Sequence, residues 1–145
     1  MKTAVIVLAV VLTVLACGCV ANQPGAQPAA AAGAAVPNLV GTWTGTSAGH
    51  IEQIGFVQHD TLKYVITDQK GRAFTGIKEY PLEDGKVVNE SFSGIITRNG
   101  EIYIVDHESG IMNGGLIGQD EMEFAYLDDM IQSKALVITL TRQKS

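Results

Sequence analysis

Few side chains in this sequence have both the type and the spacing that catalysis or metal binding requires. His50, His59 and His107 are the only histidines, and a metal site would need them to meet from different strands. Asp106 and Glu108 lie two positions apart, so their carboxylates would share one face of an extended strand. The sequence contains no G-x-S-x-G, H-E-x-x-H, P-loop or G-x-G-x-x-G motif. We therefore expect no enzymatic activity, no bound metal and no cofactor.

Covalent chemistry is predicted at one place, the two cysteines near the N-terminus. Lys2 precedes an uncharged run, Thr3–Ala16, which has the length of a secretory signal and is too short for a spanning helix. The run ends in Val14-Leu15-Ala16-Cys17-Gly18-Cys19, which resembles a lipobox, the lipidation signal of prokaryotic lipoproteins. An aliphatic residue three positions before Cys17 favours Cys17 as the lipidated residue, and Cys19 is the alternative.

The N-terminal third of the chain predicts targeting rather than folding. We expect a lipoprotein signal peptide over residues 1–16, a tether rich in Ala, Pro and Gly over residues 17–37, and a folded domain over residues 38–145. Pro24 and Pro28 interrupt any helix that the alanines would form, so the tether is expected to be a flexible spacer. A lipidated protein would be exported and held by its anchor on the outer side of a prokaryotic cell membrane or in the periplasm.

The distribution of charge excludes several classes of partner. All 15 Asp and Glu residues fall between Glu52 and Asp129, and the net charge is −5. Nucleic acids and anionic membrane surfaces attract proteins with clustered Lys and Arg, so neither is expected as a partner of the domain. No cysteine follows Cys19, so the domain has no disulfide framework.

From Leu39 onward, short β-prone runs alternate with turn residues. Asp68-Gln69-Lys70-Gly71 is predicted to be a four-residue hairpin loop, and Asn99-Gly100 a type I′ turn. Alternation of apolar and polar residues is clear in Glu121–Leu127 and Ala135–Arg142. The pattern predicts an all-β fold, an antiparallel up-and-down β-barrel of about eight strands. Glycines inside the strands are interpreted chiefly as bending points for closure, with space for a ligand as the alternative.

The first strand carries a short motif, Gly41-Thr42-Trp43, which resembles the G-x-W signature of the calycins, the group of lipocalins, fatty-acid-binding proteins and avidins. The resemblance implies a barrel for small apolar molecules whose floor is formed by Trp43, with Arg142 of the last strand over its ring. Trp43 is the only tryptophan, so the biotin site of avidins, which uses several, is not implied. The chain also stops at Ser145, where lipocalins continue into a helix.

The aromatic residues of the strands are the candidates for a ligand pocket. They are Tyr64, Phe74, Phe92, Phe124 and Tyr126, and they either surround a ligand or fill the core. We expect a small apolar or amphipathic ligand in a membrane-anchored barrel. The alternative is an envelope protein-interaction or protease-inhibitor-like module with a filled barrel, in which the loops His50–Asp60 or Asp128–Lys134 carry recognition. Asn89-Glu90-Ser91 matches the N-glycosylation pattern, which makes Asn89 a candidate acceptor.

Overall fold

A computed structural model describes residues 35–82, 85–130 and 132–144. The predicted signal peptide, both cysteines and most of the predicted tether lie outside the described residues. Within the described ranges, no helix is long and apolar enough to cross a membrane.

Eight antiparallel strands form a closed barrel in which each strand pairs with its neighbours in sequence, and β8 pairs with β1. The predicted fold class, an up-and-down β-barrel of about eight strands, is confirmed. The strands are β1 (Gly41–Ile51), β2 (Gly55–Lys70), β3 (Ala73–Pro81), β4 (Val87–Ile96), β5 (Glu101–Asp106), β6 (Ile111–Gly118), β7 (Glu121–Asp128) and β8 (Lys134–Arg142).

The period of two in the sequence decides which side chains point into the barrel. In β5 and β7 every second residue is buried, and those between are exposed. Met122, Phe124 and Tyr126 therefore point inward, whereas Glu121 and Glu123 point to solvent. Burial of one face fixes the register of each strand, because a slip of one residue would turn the whole apolar set outward.

Two hairpins differ from the sequence prediction. β2 continues to Lys70 and pairs there with Ala73, so only Gly71 and Arg72 form the loop, and Gln69 lies within the strand. Asn99 does not have the positive φ that a type I′ turn requires; only Gly100 does, at 87°. The loop is wider than predicted, since Thr97 N–H donates to Glu101 O (2.8 Å).

The segment His50–Asp60, which was predicted to be a loop, is mostly strand. β1 and β2 extend as a long hairpin closed by a short turn, Glu52–Ile54, in which Gln53 has a φ of 67°. Pairing of His50 with Phe56 and of Ile51 with Gly55 carries the ladder to the turn. By contrast, Asp129, Met130, Gln132 and Ser133 lie outside the strands, between β7 and β8.

Glycines in β1 allow this strand to bend and to approach β8. A Cβ atom at Gly45 would lie 1.7 Å from Thr139 O, and one at Gly49 would lie 2.1 Å from Ala135 O. The pairing of β1 with β2 also shifts register between Gly45 and Ser47, which is a bulge. The interpretation of these glycines as bending points agrees with this geometry, and among the described residues no glycine lines the barrel cavity presented below.

Replacing Gly45 with Ala is expected to destabilise the barrel by about 2 kcal/mol or more, because the new methyl group would collide with β8 backbone that cannot move independently. Chemical denaturation of the purified chain measures this change. The matched control is Gly115→Ala in β6, where the nearest atom to the new Cβ is Gly100 O at 3.5 Å. An equal loss of stability in the two variants would contradict the close-approach role of Gly45.

Candidate functional site

One end of the barrel is closed by packed side chains and by the chain that enters β1. Trp43 is fully buried there, and its Nε1 donates to Leu39 O (2.9 Å). The Arg142 guanidinium carbon lies 4.1 Å from the centre of the Trp43 ring, in a cation–π arrangement. Arg142 also donates to the backbone oxygens of Val40 (2.8 Å) and Asn38 (2.7 Å). The structure thus brings together the two residues that the sequence assigns to the barrel floor.

A cavity of about 280 Å³ opens at the opposite end of the barrel. The β1–β2, β3–β4, β5–β6 and β7–β8 connections surround this end. Tyr64 and Tyr126 line the cavity, as expected for pocket residues. The other three pocket candidates, Phe74, Phe92 and Phe124, do not line it.

The three phenylalanines pack in the closed half of the barrel, where strand glycines leave room for rings. The Phe74 ring occupies the space where a Gly94 Cβ would be (2.2 Å), and the Phe92 ring does the same at Gly76 (2.6 Å). Phe124 is 1% exposed within the same core. These three residues face inward as predicted but lie away from the cavity, because an inward position says nothing about the height of a residue along the barrel.

The cavity has two chemically different walls. Three consecutive strands, β8, β1 and β2, provide four apolar side chains, Leu136, Ile138, Ile51 and Leu62, which we call the apolar wall. Ser47, His59, Tyr64 and Lys134 line the cavity from the same strands. The facing side, which we call the polar wall, comes mainly from β3, β4, β7 and the β5–β6 loop, and it includes Lys78, Tyr80, Glu90, Glu108, Ser109 and Tyr126. A molecule in this space meets a patch of hydrocarbon on one side and mostly charged or hydroxyl groups on the other.

A buried ammonium group is the centre of the polar wall. Lys78 Nζ donates to Glu90 Oε2 (2.9 Å) and to Asp106 Oδ2, and all three residues are at most 6% exposed. The ammonium also lies 5.2 Å from the Tyr80 ring centre and 5.3 Å from that of Tyr126. We call Lys78, Glu90 and Asp106 the charged triad.

Strand register places the charged triad, and sequence reasoning did not identify Lys78 or Glu90. Lys78 and Glu90 are direct partners across β3 and β4, and Asp106 at the end of β5 pairs with Phe92, two residues after Glu90. The signal was present in the sequence. Lys78 follows the inward Phe74 by four positions, and Glu90 precedes the inward Phe92 by two, so alternation puts both inside.

The environment shifts the pKa values of the triad. Burial raises the pKa of Asp106 to about 6, although the neighbouring Lys78 ammonium opposes this rise. Burial alone would lower the pKa of Lys78, but Asp106 and Glu90 outweigh it and raise that pKa above its ordinary value. Lys78 therefore stays protonated and is not available as a nucleophile. Burial also raises the pKa values of Tyr64 and Tyr126, which keeps both phenols neutral.

A second polar group lies at the mouth of the cavity around Asp128. Its Oδ2 accepts from Ser109 Oγ (3.1 Å) and lies 3.5 Å from Lys134 Nζ. Burial by itself would raise the pKa of Asp128, but hydrogen bonds from Met130 N–H and Ser109 and the charge of Lys134 lower it. This group ties the β5–β6 loop to β7 and β8 and so shapes the rim of the polar wall.

The remaining sequence candidates do not converge. His59 lines the cavity, whereas His50 stacks edge-on with Phe56 on the outer surface and His107 contacts Ser93 (3.0 Å). Among the described residues, no group of three His, Cys, Asp or Glu is placed to hold a metal ion.

Asp106 and Glu108 both point toward the barrel interior, but Asp106 is buried against Lys78 and Glu108 lies at the exposed rim. Asn89 is exposed on β4, and its glycosylation remains a prediction.

Comparisons with known proteins describe the fold. No protein-family model matches the chain, and no curated protein matches it significantly. Similar solved structures include a redesigned β-barrel (TM-score 0.56, 14% identity, covering 73% of this chain and 92% of that one). They also include EF1p2_mFAP2b bound to DFHBI (TM-score 0.56, 13% identity, 72% and 94% coverage) and lobster apocrustacyanin A1 (TM-score 0.49, 10% identity, 73% and 61% coverage). The likeness to the two structures with a TM-score of 0.56 concerns the fold alone.

Removal of the buried ammonium is expected to be costly. Lys78→Met leaves Glu90 and Asp106 buried without their cation, and we expect a loss of about 3–5 kcal/mol in the free energy of unfolding. The control is Lys63→Met, which breaks the more exposed Lys63–Glu79 pair (2.9 Å) and should cost less than about 1 kcal/mol. Denaturant titration of both variants measures the difference in the free energy of unfolding. A loss in Lys78→Met no larger than that in Lys63→Met would contradict the stabilisation of the buried carboxylates by Lys78.

Asp106 also predicts a pH dependence of stability. Because its pKa is about 6 in the folded chain and near 3.8 in the unfolded chain, the folded state holds the proton more tightly between these values. This carboxyl therefore makes the barrel less stable as the pH rises from about 4 to about 6, by on the order of 3 kcal/mol. The Asp106→Asn side chain cannot titrate, so the free energy of unfolding of this variant, measured across the same pH range, should not show that decline. An unchanged pH profile in the variant would contradict the assignment.

Proposed function

We propose that this protein is a small-molecule-binding barrel, exported and lipid-anchored, whose cavity takes an amphipathic ligand. The observation that supports the proposal best is the cavity with one apolar and one polar wall. An apolar wall provides affinity for hydrocarbon, and a few fixed polar groups orient the ligand, which is the usual composition of a ligand pocket. The cavity volume, about 280 Å³, lies close to the lower end of the usual range of roughly 300–1,000 Å³, so the ligand is small.

The two halves of the barrel argue against the filled-barrel alternative. The closed half is packed with large apolar side chains around Trp43, Phe74 and Phe92. The open half instead retains a cavity beside a buried ion cluster, an arrangement that a purely structural core would not need. EF1p2_mFAP2b, whose fold is similar, is bound to DFHBI, which supports a ligand-binding role for a chain with this fold.

A binding role is favoured over a catalytic one by the state of the ionisable groups. The Lys78 ammonium is held between two carboxylates, and its raised pKa removes the nucleophilic form. Tyr64 and Tyr126 have raised pKa values and are not poised as bases. These groups are suited to hold a fixed pattern of charges and hydrogen bonds against a ligand.

The proposed anchor is compatible with access to the cavity. The chain enters β1 at the closed end, where Gln69 Nε2 donates to Pro37 O (2.8 Å) and Arg142 donates to Asn38 O. A tether over residues 17–37 would thus join the barrel at the end opposite the mouth. Lipidation at Cys17 would keep the protein at the membrane, with the cavity accessible to molecules outside the cell or in the periplasm.

Ligand binding is tested with prodan, a neutral dye whose emission shifts to the blue in an apolar environment. We expect saturable binding of one dye to one chain. Leu136→Trp should abolish it, because a larger side chain on the apolar wall fills the cavity. The matched control is Leu127→Trp, the same change at an outward-facing position of β7 that is 59% exposed. Absence of the shift, or equal loss in both variants, would contradict a ligand site in the cavity.

The anchor is tested by the intact mass of the protein purified from membranes. The expected mass is that of the chain beginning at Cys17 with added diacylglyceryl and acyl groups. Cys17→Ser should remove the lipid, whereas Cys19→Ser should keep it. Lipid retained in Cys17→Ser and lost in Cys19→Ser would assign the anchor to Cys19, and an unlipidated mature chain would contradict the anchor altogether.

A further inference from the structure

The lysines of the cavity are already neutralised by protein carboxylates. Lys134 Nζ lies 3.5 Å from Asp128 Oδ2, and Lys63, beside the cavity residue Glu79, pairs with it at 2.9 Å. Lys78 is matched twice, by Glu90 and by Asp106. An anionic ligand would therefore find no cation that lacks a carboxylate partner among these three lysines.

Negative charge is in excess around the same space. The charged triad holds two carboxylates for one ammonium, so it carries a net negative charge when both carboxylates are ionised. Glu108 adds another carboxylate to the lining. Because the apolar wall excludes water on one side, this excess is screened less than it would be on an open surface.

An unused acceptor lies directly beside the polar wall. Among the residues that the structure describes, Asp106 Oδ1 is the buried side-chain atom that has no hydrogen-bond partner, and the Asp106 side chain is 0% exposed. Asp106 is one contact away from the cavity through the lining residue Lys78. A ligand in the cavity does not reach this oxygen, but the negative charge of Asp106 acts through the low-dielectric interior and favours a positive group on the cavity side of Lys78.

We infer that the ligand is an amphiphile whose polar end is a protonated amine, held against the carboxylates of the polar wall while its hydrocarbon part packs on the apolar wall. This inference rests on the proposed function. Glu90 is the residue best placed to receive the amine, because it lines the cavity and each carboxylate oxygen has two lone pairs, one more than its present donor uses. Its present donors are Lys78 Nζ and Glu108 N–H (3.1 Å).

The test compares three probes that share one hydrocarbon chain, octylamine, octan-1-ol and octanoate, by isothermal titration with the purified full chain at pH 8. At this pH the amine is protonated and the acid is ionised. We expect octylamine to bind at least about tenfold more tightly than octanoate, with octan-1-ol between them. If octanol or octanoate binds most tightly, the amine inference is wrong and the ligand-binding barrel stands. If none of the three binds, both proposals are wrong.

Charge-neutralising variants show which carboxylate of the cavity wall binds the amine. Glu90→Gln should weaken the binding of octylamine about tenfold, because one carboxylate of the polar wall is lost. The difference in affinity between octylamine and octanoate should become smaller. Glu123→Gln removes the same charge from the outer face of β7, and it should leave both affinities unchanged. If Glu90→Gln binds octylamine as tightly as the unmodified chain, or if Glu123→Gln has the larger effect, the placement of the amine is overturned. Circular dichroism of each variant establishes that the barrel is folded during the titration.

Discussion

The buried ammonium of Lys78 is the constraint on which the open half of this barrel depends. An ammonium removed from water is tolerated only with close counter-charges, and β3, β4 and β5 provide this through Lys78, Glu90 and Asp106. Because Lys78 and Glu90 are direct partners across β3 and β4, the ion pair also fixes the register of these strands. The three groups pair with one another, and Lys78 and Glu90 also line the cavity, so this side of the open end is polar.

The two ends of the barrel differ in how their interior is filled. At the closed end, glycines and large rings fit together, as Phe74 fits over Gly94, and Arg142 covers Trp43 while it ties the entering chain to β8. At the open end, most of the apolar side chains that line the cavity come from β8, β1 and β2, and the charged triad lies on β3, β4 and β5. The large apolar side chains thus pack mainly at the closed end, and the open end holds a cavity beside a buried set of charges.

Much of the fold was predictable from the sequence, because period-two alternation and regular turn spacing are local signals. The eight strands and their order follow from such signals, whereas the contact between Trp43 and Arg142 was implied by the resemblance of Gly41-Thr42-Trp43 to the calycin motif. The site was predicted less well. Alternation identifies inward residues but not their height along the barrel. Of the five aromatic residues assigned to a pocket, Tyr64 and Tyr126 line the cavity, and Phe74, Phe92 and Phe124 do not. Lys78 and Glu90 were overlooked because charged residues are usually exposed, although alternation places them inside.

The ligand site is tested most directly by native mass spectrometry of the full chain purified from its own membranes under conditions that preserve noncovalent complexes. We expect a bound molecule of small, defined mass that is released on denaturation and is absent from Leu136→Trp, in which the cavity is filled. A bare chain, or a mass that Leu136→Trp retains, would contradict the claim that the open half of the barrel is a ligand site.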